Sequence, residues 1–332
     1  MPEAPVVAKV TPKVTKKPAI DIDKLLKKAQ GSYGKKENGV AQQLSSGSSI
    51  KNPSKDSDFV LWTKGPHWET LTHTRGIAFG RIVQISGKPD SGKSTHAAVF
   101  MKEAQDQGCL VVLWDSEKKF SPNRFAKIGG DPESLLCIRT TKIEDGAIAV
   151  AKLVDACRES YPDKKVLVVW DSVGASVNSS EDNEDTENMS KQPGVTAKEV
   201  SFAVRKFVKL MDKHMDRETG EEQVATLVIN QVYANIGSPG QTEKGGGELF
   251  YLSSLIVQLS RKGNLTRTRG GEKYKYGIVS RAVVKKNHMF DGDECISEMD
   301  IVVSSDGILL AKDAKSFDDI KGWDDENSSD EE

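Results

Sequence analysis

The sequence predicts an α/β fold in which a mainly parallel sheet, covered by helices on both faces, is extended by antiparallel strands and preceded by an N-terminal arm. Three observations predict it. Short apolar runs alternate with helix-periodic segments from about Leu61 onward. The glycine-rich run Gly87-Lys88-Pro89-Asp90-Ser91-Gly92-Lys93-Ser94 falls between one such strand and one such helix. After Gly247 the pattern turns strand-rich, at 254–260, 277–285 and 294–303.

Residues 1–60 read as an arm and linker: a lead rich in proline, lysine and valine, a short amphipathic helix near Asp23 to Ala29, then a stretch rich in Gly, Ser and Asn. Strands are expected at 81–86, 109–114, 135–138, 166–170 and 225–230, and helices at 93–107, 143–160 and 196–214. An alternation of this kind favours parallel pairing, with ligands bound at the C-terminal ends of the strands. The chain is 332 residues long and 37% hydrophobic, enough for one large core or two smaller ones. No apolar run approaches the ~20 residues that cross a bilayer, and the N-terminus lacks the apolar stretch of a secretion signal. A cytoplasmic protein with no membrane partner is the expectation. Cys109, Cys137, Cys157 and Cys295 are widely spaced and read as reduced residues, mostly in the core. The net charge of −2 hides an asymmetry, since the first segment is basic and residues 311–332 form an acidic, disordered tail. That tail suits either competition for a nucleic-acid groove or simple solvation.

The run 87–94 has the spacing of a phosphate-binding P-loop. Its glycines let backbone N–H groups point at phosphate oxygens, and the following helix, opening Lys93-Ser94-Thr95, adds the positive end of its dipole. Lys93 is placed to hold the β- and γ-phosphates of ATP, and Ser94 to put its hydroxyl on Mg²⁺. The apolar run Val166 to Trp170 stops at Asp171, which fits the Mg²⁺ water shell opposite Ser94, although an acid in that place also serves as a cap or turn. Leu110 to Trp114 ends in Asp115-Ser116-Glu117. Glu117 is the candidate for orienting and deprotonating an attacking water, against the alternative of a solvent-facing loop acid. Thr226 to Ile229 runs into Asn230-Gln231, where Gln231 is placed to sense a γ-phosphate and report to the loop from Ala234 to Gly247.

Taken in this order, these pieces resemble the RecA-type recombinases, from about Asp23 to Leu310. The resemblance is carried by Asp115-Ser116-Glu117, Phe125-Ala126-Lys127-Ile128-Gly129-Gly130-Asp131, Leu135-Leu136-Cys137, Val169-Trp170-Asp171-Ser172-Val173 and Ile229-Asn230-Gln231. Lys286-Asn287-His288 is similar to the family's Lys-Asn-Lys phrase, whose basic residues reach the neighbouring subunit's γ-phosphate. The charge of His288 near neutral pH depends on its surroundings. Phe120-Ser121-Pro122-Asn123-Arg124 looks closer to the archaeal and eukaryotic branch, in which the arginine stacks on adenine; a helix-surface role for Arg124 is the plain alternative. This mixed pattern suggests a bacteriophage-encoded member acting in a bacterial cytoplasm.

The resemblance implies a RecA-like ATPase core at 61–310, with ATP bound between protomers of a helical filament and the arm docked on a neighbour. It also implies two DNA-facing loops, at 175–197 and 232–247. Lys191 of the first and Tyr233, Asn235, Lys244, Gly245 and Gly246 of the second are the expected DNA contacts. Beyond them Arg261, Lys262, Arg267, Arg269, Lys273 and Lys275 either hold a second strand or form a solvated hairpin. The implied activity is DNA-dependent ATP hydrolysis coupled to pairing of single-stranded DNA with a homologous duplex, with a single-strand-binding protein and a loading mediator as further partners. A RecA-fold regulatory or mediator protein and a hexameric helicase motor share the motifs.

Overall fold

The computed structural model describes residues 22–30, 53–63, 67–177, 193–234, 241–243, 246–290, 292, 298–304 and 307–309. The chain divides into two compact units, Met1–Lys51 and Asn52–Glu332. In the first, α1 (Ile22–Gln30) carries Lys27 and Lys28 in its last turn. Its Leu25 is exposed.

The second unit is built on a ten-stranded sheet. Six strands lie parallel to their neighbours: β9 (Leu255–Arg269), β3 (Ile82–Gly87), β7 (Val224–Ala234), β6 (Val166–Asp171), β4 (Leu110–Asp115) and β5 (Leu135–Ile138), in that spatial order. Antiparallel strands β10 (Glu272–Asn287), β11 (Glu298–Ser304) and β12 (Gly307–Leu309) continue the sheet beyond β9, and β8 (Gln241–Glu243) folds back on β7. The expected mixed sheet is the one observed.

Side-chain alternation assigns the two faces. Val83, Ile85, Val111, Leu113, Leu167, Val169, Leu227 and Ile229 point to the core under α3 (Lys93–Asp106). Ile82, Val112, Trp114, Val168, Trp170 and Val228 point to the opposite core, under α5 (Ile143–Ser160) and α6 (Pro193–His214). Trp114 and Trp170, opposite each other in register, stack at 4.3 Å. Gly146 lets α5 settle on them, because a Cβ there would come 2.0 Å from the Trp114 ring.

Three features depart from the sequence reading. The folded unit starts at Asn52, ahead of the boundary expected near residue 60. Phe59 and Val60 of β1 (Phe59–Leu61) are buried and pair with β2 (Gly76–Ala78), while Trp62 packs on Trp68 of α2 (His67–Thr72), His96 and Phe100. Strand β7 continues past Asn230 to Ala234, because β8 supplies antiparallel partners for Val232, Tyr233 and Ala234. Cys137 is exposed on the edge strand β5, whereas Cys157 is buried.

The β9–β10 hairpin turns at Gly270-Gly271, both at positive φ (59° and 83°), the left-handed conformation a tight hairpin of this hand requires. Pairing with β11 begins only at Gly277, opposite Leu265, so Thr266–Arg269 and Glu272–Tyr276 project from the sheet as a two-stranded ribbon.

Candidate nucleotide site

Strand β3 ends at Gly87 and α3 begins at Lys93, with Gly92 at its N-cap in a left-handed conformation (φ 94°). The loop between them is wedged against β9, β10 and β11. A Cβ on Gly87 would lie 2.2 Å from the Leu259 carbonyl oxygen, and one on Gly92 3.0 Å from Val303. Ser280 of β10, fully buried, donates a hydrogen bond of 2.8 Å to the Ser91 carbonyl. The Ser91 hydroxyl and the Lys93 amine both turn to the Lys88 carbonyl, at 2.8 and 2.7 Å. Burial pulls the Lys93 pKa below its ordinary value, against the opposing carboxylates of Asp171, Glu117 and Asp90.

The parallel register brings the polar strand ends together. Gly87 lies beside Gln231, and Asp115 beside Asp171. Burial pushes the Asp171 carboxyl up to about 6; the Ser94 hydroxyl bonded to it pulls the other way, and Glu117 and Asp115 push further up. Its Oδ1 is buried without a hydrogen-bond partner among the described residues. Two oxygen ligands with one orphaned carboxylate oxygen fit a Mg²⁺ that keeps most of its waters and rides on nucleotide phosphates.

Glu117 is not a free loop acid. Ser172 Oγ and Gln231 Nε2 donate to its Oε1, the latter at 2.7 Å, and Lys119 Nζ donates to its Oε2 at 2.9 Å. Burial raises its pKa, but these three hydrogen bonds outweigh it and hold the carboxyl below the usual glutamate range. Tyr233 donates to Gln231 Oε1 at 2.9 Å, which extends the chain of bonds toward the β7–β8 hairpin.

Arg124 sits in the first turns of α4 (Pro122–Lys127), whose N-cap Ser121 accepts the Arg124 N–H. Its guanidinium donates to Thr95 Oγ1 at 2.8 Å, so it flanks the P-loop helix instead of standing free on a helix surface. It lines two cavities that share Asp90, Lys93 and Ser94. One, of 520 Å³, is walled by Pro89, Glu117, Asp171 and Gln231. The other, of 470 Å³, runs between Gly92–Thr95 and the root of the β9–β10 ribbon, at Lys275, Tyr276 and Gly277. The sequence reading missed these last three as nucleotide-lining residues, because only the β9–β10 register brings them beside the P-loop.

Lys286 and His288 lie elsewhere in the chain. Lys286 is opposite Ile256, itself beside Gln84, toward the end of β3 away from the P-loop. Its amine donates to the Phe250 and Tyr251 carbonyls, at 2.9 and 2.8 Å, near the C-terminal end of α7 (Gly246–Leu252). The His288 N–H donates to the Ser254 carbonyl. Within one chain neither residue joins the nucleotide cavities. Lys191, Asn235, Lys244 and Gly245 lie outside the described residues. Gly246 opens α7 at φ 72°; Arg267 and Arg269 fall in the projecting part of β9, where Thr266 and Thr268 are exposed.

A further groove of 710 Å³ lies between α6 and the start of α7, lined by Lys198, Phe202, Arg205, Lys206 and Lys209. Arg205 makes a two-pronged ion pair with Glu248, at 2.9 and 3.2 Å, and Lys206 stands 5.7 Å from the Phe202 ring centroid. The sequence reading passed over these basic residues, although Lys198, Arg205 and Lys209 recur seven and four residues apart, the spacing of one helical face. No described helix is long and apolar enough to cross a membrane.

A family model for the RecA N-terminal domain matches residues 67–308. The chain belongs to the RecA family. Among its relatives, a RecA protein of Chlamydia trachomatis (serovar L2) is 30% identical over 217 residues, covering 64% of this chain and 56% of the relative. RecA of Aquifex aeolicus is 30% identical over 221 residues, covering 66% and 59%, and RecA of Chlamydia abortus 29% identical over 242 residues, covering 71% and 64%. The chain thus spans little more than half the length of the first of these relatives. The mainly parallel sheet with its antiparallel extension is the RecA-like α/β core.

Proposed function

We propose that this chain is an ATP-dependent DNA recombinase that assembles on single-stranded DNA, pairs it with a homologous duplex and exchanges strands. The observation that carries the reading is the Glu117 carboxylate, held by Gln231 and Lys119 in the cavity that also contains Lys93, Ser94 and Asp171. ATP and Mg²⁺ fit that cavity. The loop amides and Lys93 bind the phosphates, Ser94 and Asp171 hold the metal's ligand shell, and Arg124 covers the base. Held by Ser94 and Asp171, Mg²⁺ would add to Lys93 and the loop amides in neutralising charge on the phosphates. Glu117, kept ionised by its hydrogen bonds, orients the attacking water and takes its proton, and Gln231 passes the state of the site to Tyr233 and the hairpin behind it.

Lys286 and His288 act on the nucleotide of a neighbouring protomer, since in their own chain they lie away from the P-loop. A contact of that head-to-tail kind propagates into a filament. DNA runs along Tyr233, Gly246 and the segments holding Lys191, Asn235, Lys244 and Gly245, with phosphates drawn by the α6 stripe at Lys198, Lys206 and Lys209. The ribbon with Arg267 and Arg269 receives the second strand or the incoming duplex. A single-strand-binding protein and a loading mediator complete the system, in the cytoplasm. The arm ahead of Asn52 serves subunit contact, and residues 311–332 serve as an acidic tail.

The test is ATP hydrolysis by the purified chain with and without single-stranded DNA, with Lys93→Ala as control, followed by strand-exchange assays and imaging. DNA-stimulated hydrolysis lost in the variant, with filaments and strand exchange, is expected. Hydrolysis indifferent to DNA points to a regulatory RecA-fold protein, and closed rings point to a helicase motor.

A further inference from the structure

Glu117 sits in a short loop between β4 and α4, and each of its neighbours is tied down. On its N-terminal side, the Ser116 N–H donates to the Asp171 carbonyl at 2.9 Å. The Ser116 hydroxyl donates to the Ser172 carbonyl at 2.7 Å and accepts the Ser172 N–H at 2.9 Å. On its C-terminal side, Lys118 adopts a left-handed conformation (φ 55°), which a lysine keeps only where its surroundings impose it. The fixing groups are two. The Asp115 carboxylate, with its side chain only 5% exposed, accepts the N–H groups of Lys119 and Phe120, both at 3.1 Å. Arg139, just beyond the end of β5, donates to the Lys118 carbonyl at 3.0 Å and stands 3.6 Å from Asp115. The segment carrying Arg139 is itself anchored, because the Trp114 indole donates to the Thr140 carbonyl at 2.8 Å.

We infer that Asp115 and Arg139 are positioning residues for hydrolysis: together they clamp the 116–120 loop so that the Glu117 carboxylate is presented to the nucleotide cavity at a fixed place. The inference rests on the reading that Glu117 serves the attacking water. Arg139 does not line the nucleotide cavity, and Asp115, which does, directs its hydrogen bonds to the loop. Asp115 spends both oxygens on backbone N–H groups, and Arg139 is half-exposed behind the loop. An exposed arginine at the end of an edge strand normally tolerates replacement. This one bridges a buried carboxylate and the carbonyl of the residue next to Glu117. Displacing a positioned carboxylate by about an ångström costs on the order of 10- to 100-fold in rate without altering ground-state binding.

The experiment measures DNA-stimulated ATP hydrolysis by Glu117→Gln, Arg139→Ala, Arg139→Lys and Asp115→Asn, together with melting temperatures. Arg139→Ala is expected to lower kcat roughly tenfold while KM for ATP stays within about twofold and melting is unchanged. Arg139→Lys, which keeps one donor for the Lys118 carbonyl, should recover part of the rate. Asp115→Asn, left with one acceptor for two N–H groups, should fall further. Wild-type kcat in Arg139→Ala, with Glu117→Gln inactive, overturns the clamp. A loss in Arg139→Ala that follows a lowered melting temperature and is not recovered by Arg139→Lys overturns it too. Wild-type hydrolysis by Glu117→Gln removes the role of Glu117 itself, and the clamp with it, and is told apart from the other failures by that one variant.

Discussion

The two halves of the central sheet treat polar groups in opposite ways. On one side of β3, β4 and β6 end in Asp115 and Asp171 and β7 carries Gln231, and these two carboxylates and the amide line a single cavity. On the other side of β3, the parallel strand β9 and the antiparallel β10 and β11 meet the same P-loop with a carbonyl, a hydroxyl and a valine: Leu259 against Gly87, Ser280 on Ser91, and Val303 against Gly92. One half supplies the carboxylates to which the proposed hydrolysis assigns metal binding and proton transfer. The other supplies shape. Substitutions in the first half should therefore act on turnover, and those in the second on nucleotide binding.

The sharpest break of that division is Asp171→Asn. With the metal-facing carboxylate neutralised, turnover should fall by about 10²- to 10³-fold, measured as DNA-stimulated phosphate release. The same variant should be the more stable protein near neutral pH. The Asp171 pKa is raised from 3.8 to about 6 in the fold, so the folded state holds the proton more tightly than the unfolded chain. Stability from this group is complete below pH 3.8 and is lost as pH rises through 6, a loss on the order of 2–3 kcal/mol. His67 and His96, depressed by burial to about 3 and about 4, work in the opposite sense, favouring the fold as pH rises toward 6.5. The readout is therefore the difference between wild-type and Asp171→Asn melting curves at pH 5 and pH 7.5 without nucleotide. That difference should grow with pH; a constant one would contradict the raised pKa.

Next in size is Gly92→Ala, which presses the P-loop against Val303 in the other half. The added methyl meets Val303 at 3.0 Å, and the backbone must keep φ 94° with a side chain in place. Strain of roughly 1–3 kcal/mol should weaken nucleotide binding by about tenfold or more, read by titration with a fluorescent ATP analogue. If Gly92→Ala binds normally but turns over slowly, the assignment of shape to one half and chemistry to the other is wrong.

What the sequence disclosed follows the same line. The P-loop, Asp171, Glu117 and Gln231 were legible because each is local: a strand, its final polar residue and the turn after it. The bracing of the P-loop by Ser280 and Val303 was not, because it depends on β10 and β11 lying beside residues almost two hundred positions earlier. The clamp by Arg139 escaped for the same reason, arising from the β4–β5 register and not from any motif. The early start of the folded unit had a visible signal in the apolar run Phe59-Val60-Leu61-Trp62, outweighed by the polar composition before it. The length of β7 had none, since its extension depends on the partner strand β8.

Ser280→Ala isolates the bracing with a single deleted bond. Losing one buried hydroxyl–carbonyl hydrogen bond costs about 1 kcal/mol, so nucleotide affinity should weaken about fivefold while kcat at saturating ATP holds. A drop in kcat with affinity unchanged would place β10 among the elements that act on chemistry.

The smallest expected effect belongs to Tyr233→Phe, and it probes where the first half hands its state onward. The Tyr233 hydroxyl donates to Gln231 Oε1, and Gln231 Nε2 donates to Glu117, so one residue couples the carboxylate to the hairpin. Tyr233 is 46% exposed, so water replaces much of the lost bond and the basal rate should be untouched. The DNA-stimulated rate should fall two- to threefold, because the deleted hydroxyl fixes which way the Gln231 amide points. Gln231→Ala removes both links and should abolish the ATP dependence of DNA affinity. If Tyr233→Phe slows hydrolysis equally with and without DNA, the hydroxyl only supports Glu117, and the relay ends at Gln231.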